Sequence, residues 1–375
     1  MKIACLAASA VPSNTANSIQ IMKACQALVQ AGQQVQLWVP GSSAAAWREL
    51  AEHYGLSEPF AIHWLASPRL LKRYDFTWRA VQQARSWGAE LVYTWMVQVA
   101  VLAQADHLPV IFEIHDRPTG KFGKRLFRHL IQAPGKKRFL IITEALRHAL
   151  EQDYQFSFED REVQIAPNGT DPEVYSNLPE PAEARQQLGL PEKLTAGYTG
   201  HFYSGRGTDL LLGLARCFPG VNFLWVGGRS QDVAGWRSRL SDEGLKNITL
   251  TGYIDKSRLP LYQAAADVLL MPYERVIAGS SGGNSADICS PMKMFDYLAA
   301  GRVIISSDLP VIREVLNERN AVFAAPEDLQ DWQQALAGFV ADPQKYQRLA
   351  VQARLDAAQY SWQGRAVRAM DGFIA

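Results

Sequence analysis

A chain of 375 residues exceeds the size at which one hydrophobic core usually stops growing, so two domains are expected. Apolar content of 48%, charged content of 20% and a formal net charge of +1 exclude a disordered or fibrous chain and give no field that would draw nucleic acid. Cys5, Cys25, Cys217 and Cys289 lie far apart with no C-x-x-C pair, which reads as reduced thiols in a reducing, cytoplasmic compartment and not as a disulfide or zinc framework.

In chain order, the first apolar run is KIACLAA. It breaks at Pro12 into polar SNTANS, so it reads as a buried strand and loop, not a signal peptide. QVQLWVP, AIHWLA, LVYTW, VIFEI and FLIIT follow in the first half. AGYTG, VNFLWVGG, ITLTGY, VLLMPY, RVIISS and AVFAA follow in the second. Runs that are apolar throughout, without alternation, suit parallel strands covered on both faces. Between them, SIQIMKACQALVQAG and TDLLLGLARCF repeat apolar residues at helical spacing, with Gly32 placed as a helix terminator. The alternation predicts an α/β chain of two similar halves, joined by the linker 176–193. The expected domains are 1–175, with a terminal helix at about 360–375 returning to it, and 176–359. No run approaches the roughly 18 apolar residues of a membrane-spanning helix.

The second half carries the chemistry. In YTGHFYSGRGTDLLL a strand ends at Gly200, a turn holds Arg206, and a helix begins near Thr208 or Asp209. Glycines 200, 205 and 207 would let backbone approach a ligand, the new helix offers N–H groups, and Arg206 adds positive charge. All three suit a diphosphate. In AGSSGGNSADICSPMKMFDYLAAG a Gly/Ser loop leads into Ser290 and Pro291 as N-cap and first-turn residue. Lys293 then falls in the first helical turn, where a cation opposes the helix dipole unless an anion sits there. Asp296, one turn on, is placed to accept hydrogen bonds from ribose or sugar hydroxyls. Tyr253, after the TGY strand, is a candidate for base and sugar contacts.

The series of HxxxxRG turn, VGG, TGY, AADVLLMPY, SPMKMFDYLAAG and SSDLP resembles the retaining GT-B glycosyltransferases of family 4, and covers nearly the whole C-terminal half. NGTDPEVY (168–175) and FEIHD (112–116) are similar to segments of that family's first domain. The resemblance implies a GT-B fold: two Rossmann-like domains facing each other across a cleft, with the nucleotide-sugar donor bound by the C-terminal one. It implies that Arg206 neutralises the donor diphosphate and that Gly200 and the loop Ser290–Met292 donate backbone N–H groups to the phosphates. By the same likeness Asp296 holds the ribose and His115 contacts sugar hydroxyls, while His201 replaces a more usual Arg. The family's first acid would fall at Ile288, so Asp287, one place away, is the candidate catalytic carboxylate beside His115 and Arg206. On the acceptor side Thr15, Asn17 and Ser18 stand in for a Gly-rich loop, with Ser18 a candidate cap of the following helix.

The expected reaction is transfer of a hexosyl group, with retention, from a nucleoside diphosphate sugar to a glycan or lipid-linked acceptor. A UDP-sugar is favoured over a GDP-sugar. No metal or other cofactor is expected, because Arg206, Lys293 and helix N-termini would balance the leaving diphosphate. A nucleotide-sugar epimerase and a catalytically silent binding protein are the alternatives. Residues 117–148 hold nine Lys or Arg against the single acid Glu144, with Phe122, Leu126, Phe127, Leu130 and Ile131 interleaved. That stretch reads either as a solvated helix face or as a peripheral contact with an anionic membrane, at its inner face.

Overall fold

The computed structural model describes residues 1–43, 45–68, 73–277 and 284–373. The chain divides into two compact units, Met1–Asn168 with Trp362–Ala375, and Gly169–Ser361.

In the first unit, β1 (Lys2–Leu6), β2 (Gln34–Pro40), β3 (Ala61–Leu65), β4 (Leu91–Thr94), β5 (Val110–Ile114), β6 (Lys137–Ile141) and β7 (Val163–Ile165) form one sheet. Its order is β3-β2-β1-β4-β5-β6-β7 and every pairing is parallel. β4 and β5 are buried at every position, which is why their sequences do not alternate. β7 was not among the expected strands. It is three residues long at the sheet edge, too short to show a period. The helix Ala16–Gln30 buries Ile21, Met22, Cys25 and Leu28 and stops at Ala31. Gly32 follows at φ +81°, where its N–H reaches the Val29 carbonyl at 2.8 Å. The terminal helix Trp362–Met370 packs on the helix Ala16–Gln30.

In the second unit, β8 (Thr195–Thr199), β9 (Asn222–Val226), β10 (Ile248–Gly252), β11 (Val268–Met271), β12 (Val303–Ser307) and β13 (Val322–Ala324) form a parallel sheet in the order β10-β9-β8-β11-β12-β13. The chain runs outward from β8 to β10, then returns to lay β11 beside β8. Loops leaving β8 and β11 therefore part in opposite directions, the topological switch at which open α/β sheets gather ligands. Phe223, Trp225, Leu270, Ile305 and Trp332 form the centre of this unit's core.

The boundary lies at 168/169, not at the expected 175/176. Residues 170–175 are tied to the second unit: Thr170 N–H donates to the Tyr360 carbonyl at 3.0 Å, and Tyr175 Oη donates to Gln263 Oε1 at 2.9 Å. Among the described residues no helix is long and apolar enough to cross a membrane.

Candidate functional site

At the switch point, β8 leads through Gly200–Gly207 into the helix Thr208–Cys217, and β11 leads to Tyr273. The helix Met292–Ala300 supplies Lys293 from its second position. These elements bring two cations onto three tyrosines. The Arg206 guanidinium lies 4.8 Å from the ring centre of Tyr203 and 4.9 Å from that of Tyr273, and it donates to Tyr203 Oη at 2.5 Å. Lys293 Nζ lies 3.8 Å from the ring centre of Tyr198 and 5.3 Å from that of Tyr273. Among the described residues neither cation meets a carboxylate; each rests on π-faces, worth roughly 0.5–2 kcal/mol.

The electrostatics follow from that imbalance. Burial and then the charge of Arg206 hold the Lys293 ammonium well below the ordinary lysine range. The His201 imidazole is likewise pushed down by burial, with Arg206 and Lys293 adding to it. Burial raises Tyr273 to about 12 against the pull of Arg206. Arg206 Nε and His201 Nδ1 are buried and make no hydrogen bond among the described residues, a cost of about 1–3 kcal/mol each. The arrangement is an unbalanced cationic nest with spare donors.

The turn that presents Arg206 is built differently from expectation. A Cβ on Gly207, whose φ is +70°, would come within 1.9 Å of the Pro272 carbonyl oxygen, and one on Gly205 would meet Ile277 Cα at 2.8 Å. Both glycines admit the protein's own backbone, not a ligand's. The Gly205 and Gly207 N–H groups donate to the Glu274 carboxylate at 3.1 and 3.0 Å, so Glu274 fastens this turn to the end of β11. Gly200 is also corrected: its N–H donates to the Val226 carbonyl at 2.8 Å, so it is not a spare phosphate donor. What Gly200 contributes is space, because a Cβ there would lie 2.8 Å from Lys293 Nζ.

One turn along the Lys293 helix, Asp296 is 3% exposed. It accepts from Thr170 Oγ1 at 3.1 Å and from the Lys256 ammonium. Tyr253 lies half-buried after β10. Ser290 and Pro291 are buried, but the helix begins at Met292, with Pro291 in the cap position, so Ser290 is not the N-cap. Met292 is half-buried. Asp287 sits in an exposed turn while its neighbour Ile288 is 2% exposed, so the core claims the position where an acid was looked for. Residues 278–283 of the Gly/Ser loop lie outside the described residues.

In the first unit His115 follows β5, and its partner is not the adjacent Asp116 but Glu113. His115 Nε2 lies 2.7 Å from Glu113 Oε1. Glu113 is 1% exposed and also accepts from Gln20 Nε2 at 2.6 Å, from the Tyr93 hydroxyl, and from Arg365 at 2.6 and 3.2 Å. Although burial opposes it, the Arg365 and His115 partners bring the Glu113 carboxyl down to about 2. Thr15 is the cap of the helix Ala16–Gln30, its Oγ1 accepting from Ser18 N–H at 3.3 Å. Ser18 is neither the cap nor open to an acceptor. It is 0% exposed, and its hydroxyl is shared between the Ala10 carbonyl at 3.0 Å and Tyr54 Oη at 2.6 Å. Asn17 and Thr15 are exposed.

Comparison with known proteins agrees with this geometry. Residues 195–342 match the family described as glycosyl transferases group 1, and residues 18–174 match glycosyltransferase family 4. The chain belongs to the GT-B glycosyltransferases. TuaH of Bacillus subtilis (strain 168), named as a teichuronic acid biosynthesis glycosyltransferase, is 28% identical over 162 residues, 43% of this chain and only 38% of that protein. HepE of Anabaena in complex with UDP superposes with a TM-score of 0.75 over 98% of both chains at 17% identity. A sucrose-phosphate synthase of Thermosynechococcus elongatus gives 0.74 over 98% of this chain and 96% of its own, also at 17% identity.

In this GT-B glycosyltransferase His201 and Arg206 lie in the turn after β8, and Lys293 and Asp296 lie in the helix Met292–Ala300. The sequence signals missed Glu274, Lys256, and the tyrosines 198, 203 and 273. A cation in a helix's first turn and an acid just past a buried strand were the available cues to Lys293 and Glu274. Nothing in sequence spacing points to Lys256, 40 positions from its partner.

Proposed function

We propose that the chain transfers a hexosyl group, with retention, from a UDP-sugar to a glycan or lipid-linked acceptor, without a metal. The observation that carries the reading is the cluster of Arg206 and Lys293 on three tyrosines, with no carboxylate among the described residues to balance it. Two half-buried cations, one with an unsatisfied N–H donor, suit the leaving diphosphate, whose charge grows as the glycosyl bond breaks. Uridine is favoured because HepE was solved with UDP and with UDP-glucose. His115 takes the contact with the sugar's hydroxyls, as the family pattern assigns it, with its Nε2 fixed by Glu113.

The place of action is the cytoplasmic face of a membrane, reached through the helix Gly120–Gln132. Lys121, Lys124 and Arg125 on it are exposed, and Phe122 is 72% exposed beside them. The rest of the basic stretch is partly neutralised internally: Arg117 pairs with Asp153, Lys137 with Glu162, and Arg147 with Glu151.

Titration calorimetry with UDP, GDP, ADP and their sugar conjugates tests the donor reading. Arg206→Ala should lose about 1.5–3 kcal/mol of UDP binding, the range for a charged hydrogen bond. Unchanged binding in a folded R206A variant refutes the assignment. Retention is read from the anomeric configuration of the product by NMR.

A further inference from the structure

Asp296 occupies the position assigned to the ribose-binding acid, yet it is buried to 3% exposure and both its oxygens are engaged inside the protein. Thr170 Oγ1 donates to Oδ1 at 3.1 Å and the Lys256 ammonium donates to Oδ2. The Lys256 side chain keeps 15% exposure against 5% for Asp296, so the lysine is the more accessible member of this pair. Its placement suits a nucleotide. Asp296 lies three residues beyond Lys293 on the same helix face, a rise of about 4.5 Å. The ribose of a nucleoside diphosphate directly adjoins its phosphates. Lys256 lies in the segment after β10, and the turn of Arg206 follows β8, so both leave the carboxyl ends of strands in the same parallel sheet.

The chemistry fits as well. An ammonium has three donors and no acceptor, and among the described residues Asp296 takes one of them. A ribose hydroxyl can accept from another. A lysine pinned by a buried carboxylate has already lost the rotamer freedom that a free one would lose on binding. We propose that Lys256 is the residue that binds the ribose hydroxyls of the donor nucleotide, with Asp296 and Thr170 positioning it. The proposal rests on Arg206 and Lys293 being the diphosphate site.

The test is calorimetry with inorganic pyrophosphate, UDP, 2′-deoxy-UDP and 3′-deoxy-UDP on the wild type, K256M, K256R and the double variant K256M/D296N. The double variant removes both buried charges, so a folded comparison exists even where K256M alone unfolds. The wild type should bind UDP about tenfold more tightly than the analogue lacking the contacted hydroxyl. K256M, or the double variant, should bind UDP about tenfold more weakly than the wild type and no longer distinguish the deoxy analogue. K256R should keep part of the discrimination, and pyrophosphate should bind all variants alike. Wild-type affinity for UDP in a folded variant lacking Lys256, or discrimination preserved in it, overturns the proposal. A wild type that binds neither pyrophosphate nor UDP overturns the diphosphate reading, and this one with it.

Discussion

Replacing Arg365 by Met perturbs the most heavily charged part of the first unit's interior. Arg365 is 4% exposed and its guanidinium meets Glu113 with both terminal nitrogens, while also donating to the carbonyls of Ala166 and Pro167. Removing it leaves a fully buried carboxylate with neutral donors and His115. Breaking a buried pair from one side costs about 3–5 kcal/mol. The carboxyl gives an independent scale: a fall from the ordinary 4.5 to about 2 corresponds to roughly 3 kcal/mol. The sign follows from the depressed native value. Stability from Glu113 is complete above the unfolded value of 4.5 and is lost as pH falls toward 2. Urea unfolding followed by tryptophan fluorescence at pH 7, 5, 4 and 3 should show R365M about 3–5 kcal/mol below the wild type at pH 7. The gap should narrow at the acid end. The double variant E113L/R365M, which leaves no buried charge, should recover most of the loss. A deficit under about 1 kcal/mol at pH 7, or one that ignores pH, would refute the view that this pair is an energetically coupled unit.

Lys293 makes a second pH prediction of opposite character. Its free value is depressed by burial and by Arg206, and a bound diphosphate would raise it, so binding takes up a proton. UDP affinity should therefore fall as pH rises from 7.5 to 9.5, above the range in which the phosphate itself titrates. Calorimetry in buffers of different ionisation enthalpy should show proton uptake, and K293M should abolish both; a flat wild-type profile counts against a lysine–phosphate contact. For the surface, co-sedimentation with vesicles containing phosphatidylglycerol should capture the wild type at low salt. The triple change of Lys121, Lys124 and Arg125 to Ser should release it, at about 1 kcal/mol per charge, and F122D should weaken it further. Equal sedimentation of these variants would make the helix Gly120–Gln132 a solvated face.

Twelve of the strands were legible as β-rich runs, the central ones because parallel strands buried on both faces need unbroken apolar residues. The exception, Val163–Ile165, is a three-residue edge strand beside β6. Site residues held by local turns were legible too: Arg206 in its glycine turn, and Lys293 in a first helical turn. Those held by distant partners were not. Glu113 stands inside VIFEI and reads as one polar residue in a strand until Arg365, 252 positions on, is seen against it. Packing decides two further positions that the family pattern names. Ile288 fills the core and leaves Asp287 outside, and Gly200 spends its N–H on Val226.

Each unit holds a charged cluster, buried in the first and half-buried in the second, and the contrast between them separates structure from chemistry. Around Glu113 every charge is answered: the carboxylate has Arg365, His115, Gln20 and Tyr93, and the guanidinium also has carbonyls. Such a cluster holds the terminal helix to β5 and fixes the ring of His115. Among the described residues no carboxylate pairs with Arg206 or Lys293, although the chain as a whole is within one charge of neutral. Folding alone gains nothing from bringing two like charges together at the cost of lowering the proton affinity of one. A site selected only for stability would have placed an Asp or Glu there, or replaced Lys293 by an apolar residue. The imbalance is what a multiply charged anion would correct, and it lies where the turn after β8 meets the first turn of the helix Met292–Ala300.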